Sequence, residues 1–106
     1  GARAEAEAAL YQRTVLFALA EVEQEVDRLQ RAREEAAAAR AAVASAGDQV
    51  ALARVRYTSG LSNFLDVLLA ERAFADAEIA LASAEGRVTD AGIGLAAALG
   101  LGQGAP

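Results

Sequence analysis

The side chains of this chain that could do chemistry are almost all carboxylates. Asp and Glu number 15 against 10 Lys and Arg, and the sequence contains neither Cys nor His. Without Cys there is no thiol nucleophile, no disulfide and no Cys-ligated zinc site. Without His the chain lacks the commonest general base and the commonest metal ligand.

The carboxylates themselves are mixed with Arg along the chain, as on the solvated face of a helix. A carboxylate metal site in a helical protein needs inward-facing acids on adjacent helices, usually with Glu-x-x-His spacing. We therefore predict no catalytic residue, no metal site and no cofactor, and no enzymatic activity. The carboxylates weighed for such a role are Glu21, Glu23, Glu25, Asp27, Glu34, Glu35, Asp76, Glu78 and Glu85.

Charge and hydropathy exclude further classes of function. The net charge is -5, with no basic patch that would hold nucleic acid. The longest apolar runs, 15–20 and 91–102, are far shorter than the roughly 20 residues of a membrane helix. We expect no signal peptide and no transmembrane helix in this chain. Since it opens without Met, we expect a piece of a longer protein.

Two long helices must position whatever site exists. Apolar and small residues recur at steps of three and four along two stretches, which we call the inner stripes, and this period marks one face of an α-helix. The first inner stripe is Val15, Leu19, Val22, Val26, Leu29, Ala32, Ala36, Ala39, Val43, Ala46, Val50, Ala53 and Tyr57. The second is Phe64, Val67, Ala70, Phe74, Ala77, Leu81, Ala84, Val88, Ala91, Leu95 and Ala98. The fold class predicted is all-α: an antiparallel two-helix coiled-coil hairpin with helices over about 4–57 and 63–99 and a turn at 58–62. The Gly-rich residues 100–106 are expected to form a flexible tail.

Antiparallel packing about Gly60 pairs large with small residues. Equal rise on both helices brings together positions whose numbers sum to about 120. The pairs are then Val50 with Ala70, Ala46 with Phe74, Val43 with Ala77, Ala39 with Leu81, Ala32 with Val88, and Leu29 with Ala91. An Ala opposite each bulky side chain allows close approach of the helix axes without voids.

Both helices have end signals at the turn. Arg56 complements the negative end of the first helix, and Gly60 can take the left-handed conformation that ends it. Ser62 or Asn63 can cap the second helix, and Asp66 falls in its first turn. These structural roles are sufficient to explain the polar residues here.

The pair Gly47-Asp48 offers a possible break in the first helix. Gly suits the position just after a helix and Asp the position just before one. The inner stripe crosses this pair without losing its period, however, and a mid-helix Gly costs only about 1 kcal/mol. We predict one continuous helix.

A second apolar stripe lies on another face of the second helix. This outer stripe consists of Leu61, Leu65, Leu68, Ala75, Ile79 and Ala82. Two apolar faces on one helix indicate two helical neighbours, so we expect lateral packing against further helices. Leu10, Tyr11, Leu16 and Phe17, at the start of the first helix, need a partner as well.

The segment around the turn resembles the periplasmic tip signature of TolC-like outer-membrane efflux proteins. Residues 56–72 read RYTSGLSNFLDVLLAER, against R-Y-x-x-G-x-x-x-[aromatic or aliphatic]-L-D-V-L-x-A-x-R. Residues 11–15 and 20–23 are similar to the Y-R-x-T-V and E-V-E opening of the preceding helix, and 96–100 to the A-L-G close. The resemblance covers almost the whole chain.

The resemblance implies a fold, a location and partners. Proteins of that family are trimers whose outer-membrane β-barrel continues into a periplasmic barrel of helices, and this chain resembles the second of two helical hairpins in each protomer. It would lie in the periplasm, would meet the membrane only through β-strands outside it, and would dock a periplasmic adaptor (membrane fusion) protein for export of small molecules or proteins. Asp66 matches a position that faces the channel constriction. The residues implied at the docking tip are Arg56, Tyr57, Thr58, Ser59, Gly60, Leu61, Ser62 and Asn63.

The chain departs from the family pattern at two places. Some members have an Arg two residues after the tip Gly and a second Asp three residues after the first, where this chain has Ser62 and Leu69. A gate held by that ionic network is therefore not expected here.

Two alternative functions, from other classes of protein, remain open. A free-standing antiparallel coiled coil could serve as a dimerisation or scaffold module, and would bury the outer stripe in a symmetric four-helix bundle. An amphipathic pair of helices on a lipid surface is disfavoured by the acidic charge and the narrow Ala stripes.

Overall fold

The computed structural model describes residues 1–102 and contains two α-helices in this range. Helix α1 spans Ala2–Thr58 and helix α2 spans Phe64–Gly102, and the described residues include no strand. The predicted all-α helical hairpin is confirmed. Helix α1 runs through Gly47 without a break, as predicted.

The helix ends differ from prediction by a few residues. Helix α1 includes Thr58 because the Ser59 N–H donates to the Val55 carbonyl at 3.0 Å, which continues the helical bonding past Thr58. The Thr58 hydroxyl also bonds to the carbonyls of Arg54 and Val55, at 3.0 and 3.1 Å. Helix α2 continues to Gly102 and not to 99, so residues 100–102 of the predicted tail are helical. A helical Gly costs only about 1 kcal/mol relative to Ala, so Gly100 does not end the helix. Residues 103–106, the rest of that predicted tail, lie outside the described residues.

The described part of the chain divides into two compact units, one formed by residues 32–88 and one by residues 1–31 with residues 89–102. In the first unit the buried residues are Ala32, Ala36, Val67 and Ala84; in the second, Ala91 is buried. All five belong to the inner stripes, and four are Ala. Ala36 and Ala84, which the predicted register sets opposite each other, are both buried. The core is thin because an Ala methyl group buries little apolar area.

Three ion pairs join α1 to α2 within the unit of residues 32–88. The distances are 2.6 Å for Arg54 to Glu71, 3.8 Å for Arg40 to Glu85 and 3.3 Å for Arg87 to Glu35. The side chains are all at least 41% exposed, so each pair is worth about 1 kcal/mol or less. They fix the register of the two helices more than they stabilise the hairpin.

In the other unit, Glu25 departs from the solvated face predicted for the carboxylates. Its side chain is only 27% exposed and lies 3.6 Å from Arg28. The Glu25 Oε2 atom is buried without a hydrogen bond among the described residues. A Cβ built on Gly94 would lie 2.7 Å from this oxygen, so the missing side chain of Gly94 makes the space that Glu25 occupies.

Gly47 is a helix-interior glycine with open space around it. Nothing lies within 4 Å of a Cβ built there. We expect Gly47→Ala to stabilise the chain by about 1 kcal/mol, because Ala loses less backbone entropy in a helix. Thermal unfolding followed by circular dichroism measures the change, with Gly60→Ala as the control that should destabilise, since Gly60 has a φ of 76°. A Gly47→Ala variant no more stable than the parent would contradict the prediction.

Candidate functional site

The turn between the helices is closed by a Schellman motif. The Gly60 N–H donates to the Tyr57 carbonyl at 3.1 Å, and the Leu61 N–H donates to the Arg56 carbonyl at 2.8 Å. Gly60 has a φ of 76°, the left-handed conformation that this motif requires and that the sequence predicted. The carbonyls of Arg56 and Tyr57, near the end of α1, thus have hydrogen-bond partners within the turn.

Asn63 caps helix α2. Its side-chain Oδ1 accepts a hydrogen bond from the Asp66 N–H at 3.1 Å. Of the two predicted capping residues, the structure therefore selects Asn63. The Ser62 Oγ is buried and has no hydrogen-bond partner among the described residues. Asp66 lies in the first turn of α2, where its charge complements the helix dipole.

The two candidate caps give a matched pair of variants. Asn63→Ala removes the bond to the Asp66 N–H, so we expect a loss of about 1 kcal/mol of unfolding free energy. Ser62→Ala removes a hydroxyl without a partner, so its effect should be neutral or stabilising. Urea unfolding of both variants tests this order. Equal losses in the two would mean that the cap contributes nothing.

An aromatic contact ties the helix ends together. The ring centroids of Tyr57 and Phe64 are 5.3 Å apart with a tilt of 55°. Tilted pairs at this distance are favourable beyond their buried area. Phe64 was not predicted as a site residue. The signal was nevertheless present, since Tyr57 and Phe64 end the two inner stripes and must meet at the turn.

Seven of the eight predicted tip residues form one exposed surface at the turn, and the eighth, Ser62, is half-buried. Leu61 is 77% exposed, and Arg56, Tyr57, Ser59 and Gly60 are exposed beside it. Thr58 is also exposed, although its hydroxyl is used within α1. The surface thus combines apolar side chains with exposed polar groups.

A shallow polar groove runs along one side of this surface. Its volume is about 170 Å³, and Arg56, Ser62, Asp66 and Gln49 are among the residues that line it. The structure thus brings together the Arg56 cation, the Asp66 anion and the Gln49 amide, while the hydroxyl oxygen of Ser62 is buried. This set suits recognition of polar groups. The placement of Asp66 at a channel constriction stays a prediction.

The rest of the described chain offers little for chemistry. Within residues 1–102 no three His, Cys, Asp or Glu residues gather as a metal site would require. Neither helix, as far as it is described, is long and apolar enough to cross a membrane.

The outer stripe is exposed. The exposed fractions are 57% for Leu65, 47% for Leu68 and 65% for Ile79. The residues at the start of α1 that were expected to need a partner are also exposed: Leu10, Tyr11, Leu16 and Phe17. A row of large exposed apolar side chains on one helix face is typical of surfaces that contact another protein.

The comparison with protein families found one match. Residues 1–101 match the family model described as Outer membrane efflux protein. This agrees with the resemblance found around residues 56–72. The comparisons with curated proteins and with solved structures found no match.

Proposed function

Because the chain belongs to the outer membrane efflux protein family, we propose that it is the second periplasmic hairpin of an efflux channel and docks an adaptor protein through its turn. The observation that carries the proposal is the family match over residues 1–101 together with an exposed turn of fixed geometry. The hairpin acts by binding and not by catalysis. It contributes to export of small molecules or proteins as part of the channel wall.

The tip is suited to docking because it is held rigid before a partner arrives. The Schellman motif, the Asn63 cap and the Tyr57–Phe64 contact each restrain the turn. A preorganised surface loses less conformational entropy on binding than a flexible loop does. We propose that residues 56–63 form the adaptor-docking surface at the channel entrance, and that the groove beside Asp66 recognises polar groups of the adaptor.

The exposed outer stripe supports the proposal that this hairpin packs beside other helices in the channel wall. Its exposed Leu and Ile side chains would be covered by a neighbouring helix in a homotrimer of the full-length protein. The hairpin would then stand in the periplasm below the outer membrane. Ser62 and Leu69 replace the charges that hold the gate in some relatives, so closure of this channel would depend on other contacts.

Export from cells tests the proposal. Cells that lack the full-length gene should accumulate a fluorescent pump substrate, and the wild-type gene should restore its export. A version in which residues 58–62 are replaced by Gly and Ser at equal length should reach the membrane but fail to restore export. If it restores export fully, the tip is not the docking site. If the wild-type gene has no effect on export, and the chain forms a symmetric four-helix dimer, the scaffold reading replaces the proposal.

A further inference from the structure

Two of the cross-helix ion pairs repeat with the period of a coiled coil. Arg40 and Arg54 lie two heptads apart on α1, and their partners Glu85 and Glu71 lie two heptads apart on α2. The same period places one more pair midway between them. At that level α2 carries Glu78, but α1 carries Gly47 where an Arg would complete the series.

The missing Arg leaves a groove. No atom lies within 4 Å of a Cβ built on Gly47. A groove of about 280 Å³ opens there, lined by Gly47 and Glu78 and also by Val50, Phe74 and the Arg54–Glu71 pair. Among the ion pairs and hydrogen bonds within residues 1–102, none involves Glu78. The groove thus combines an apolar base, formed by Val50 and Phe74, with the Glu78 carboxylate at its edge, and it opens to the surface.

We propose that this groove binds an Arg or Lys side chain presented by a helix of a partner protein. The aliphatic part of such a side chain would pack on Val50 and Phe74. Its charged end would pair with Glu78, as an Arg at position 47 would have done. The net charge of -5 favours a basic partner over a second copy of this chain. The site is separate from the tip residues, so it does not depend on the role proposed for them.

Crosslinking in cells tests the groove. A photoreactive amino acid at Ala51, an exposed position one turn from Gly47 and outside the outer stripe, is introduced into the full-length protein. The segment it captures should come from another protein and carry an Arg or Lys within one helical turn of the crosslinked residue. Glu78→Gln should lower the yield several-fold. Asp76→Asn, which neutralises another exposed acid on α2, should leave the yield unchanged.

A second variant fills the groove from within. Gly47→Arg should pair with Glu78, raise the unfolding temperature and lower the crosslinking yield as much as Glu78→Gln does. Ser45→Arg adds the same charge at an exposed position outside the groove and should not lower the yield. The proposal is overturned if the captured segment lacks a basic residue or belongs to a second copy of this chain. It is equally overturned if a stably folded Gly47→Arg variant crosslinks normally.

Discussion

Replacing Gly60 by Asp in the full-length protein is expected to remove most efflux while leaving both helices intact. Gly60 has a φ of 76°, and Asp is among the few residues that tolerate this conformation in single positions. A Cβ at Gly60 meets nothing within 4 Å in the chain itself. The new carboxylate therefore disturbs a partner that packs on the tip, which must desolvate the charge. Accumulation of a pump substrate in cells measures the loss.

Two further variants at Gly60 separate charge from backbone strain. Gly60→Asn shares the conformational tolerance of Asp but adds no charge, so we expect it to retain more efflux. Gly60→Val should destabilise the turn by about 1–2 kcal/mol, because a β-branched residue is strained at positive φ. Normal efflux in cells that carry Gly60→Asp would count against docking at the tip.

The largest loss of stability is expected from a charge in the thin core. Ala84 is 1% exposed, and Ala36, opposite it in the predicted register, is 2% exposed. Ala84→Asp places a carboxylate at a position shielded from water and also overfills the contact between the helices. We expect a loss of about 3 kcal/mol or more of unfolding free energy. Thermal unfolding of the 106-residue chain measures it.

The neighbouring position provides the control. Ser83 is exposed, so Ser83→Asp puts the same carboxylate on the same helix in contact with water. Its effect should stay within about 0.5 kcal/mol. A similar loss in both variants would show that the cost comes from helix propensity or net charge, and that the inner stripes do not form the core.

The spacing of apolar residues predicted which helix face holds the core but not how far the core extends, since the inner-stripe residues Val15, Leu19, Val26, Tyr57 and Phe64 are exposed. Steps of three and four select one helix face, so the buried residues Ala36, Val67 and Ala84 could be named before the structure was known. The conformation of the turn could also be predicted, because only Gly adopts the left-handed conformation found at Gly60 at no steric cost.

Features that depend on the exact register could not be predicted. The burial of Glu25 against Gly94 needs a contact between residues far apart in the sequence. The gap between Gly47 and Glu78 becomes visible only when the Arg40–Glu85 and Arg54–Glu71 pairs fix the offset of the helices. The end of α2 was missed because a Gly weakens a helix without necessarily ending it.

Capture of the adaptor from the tip tests the central claim most directly. A photoreactive amino acid at Ser59, exposed in the turn, is compared in cells with the same residue at Ala37, exposed on α1 away from the turn. The Ser59 position should crosslink the full-length protein to a periplasmic adaptor, and the yield should fall several-fold with Gly60→Asp. The Ala37 position should give no adaptor crosslink. An adaptor captured equally well from both positions, or from neither, would contradict the assignment of the tip as the docking surface.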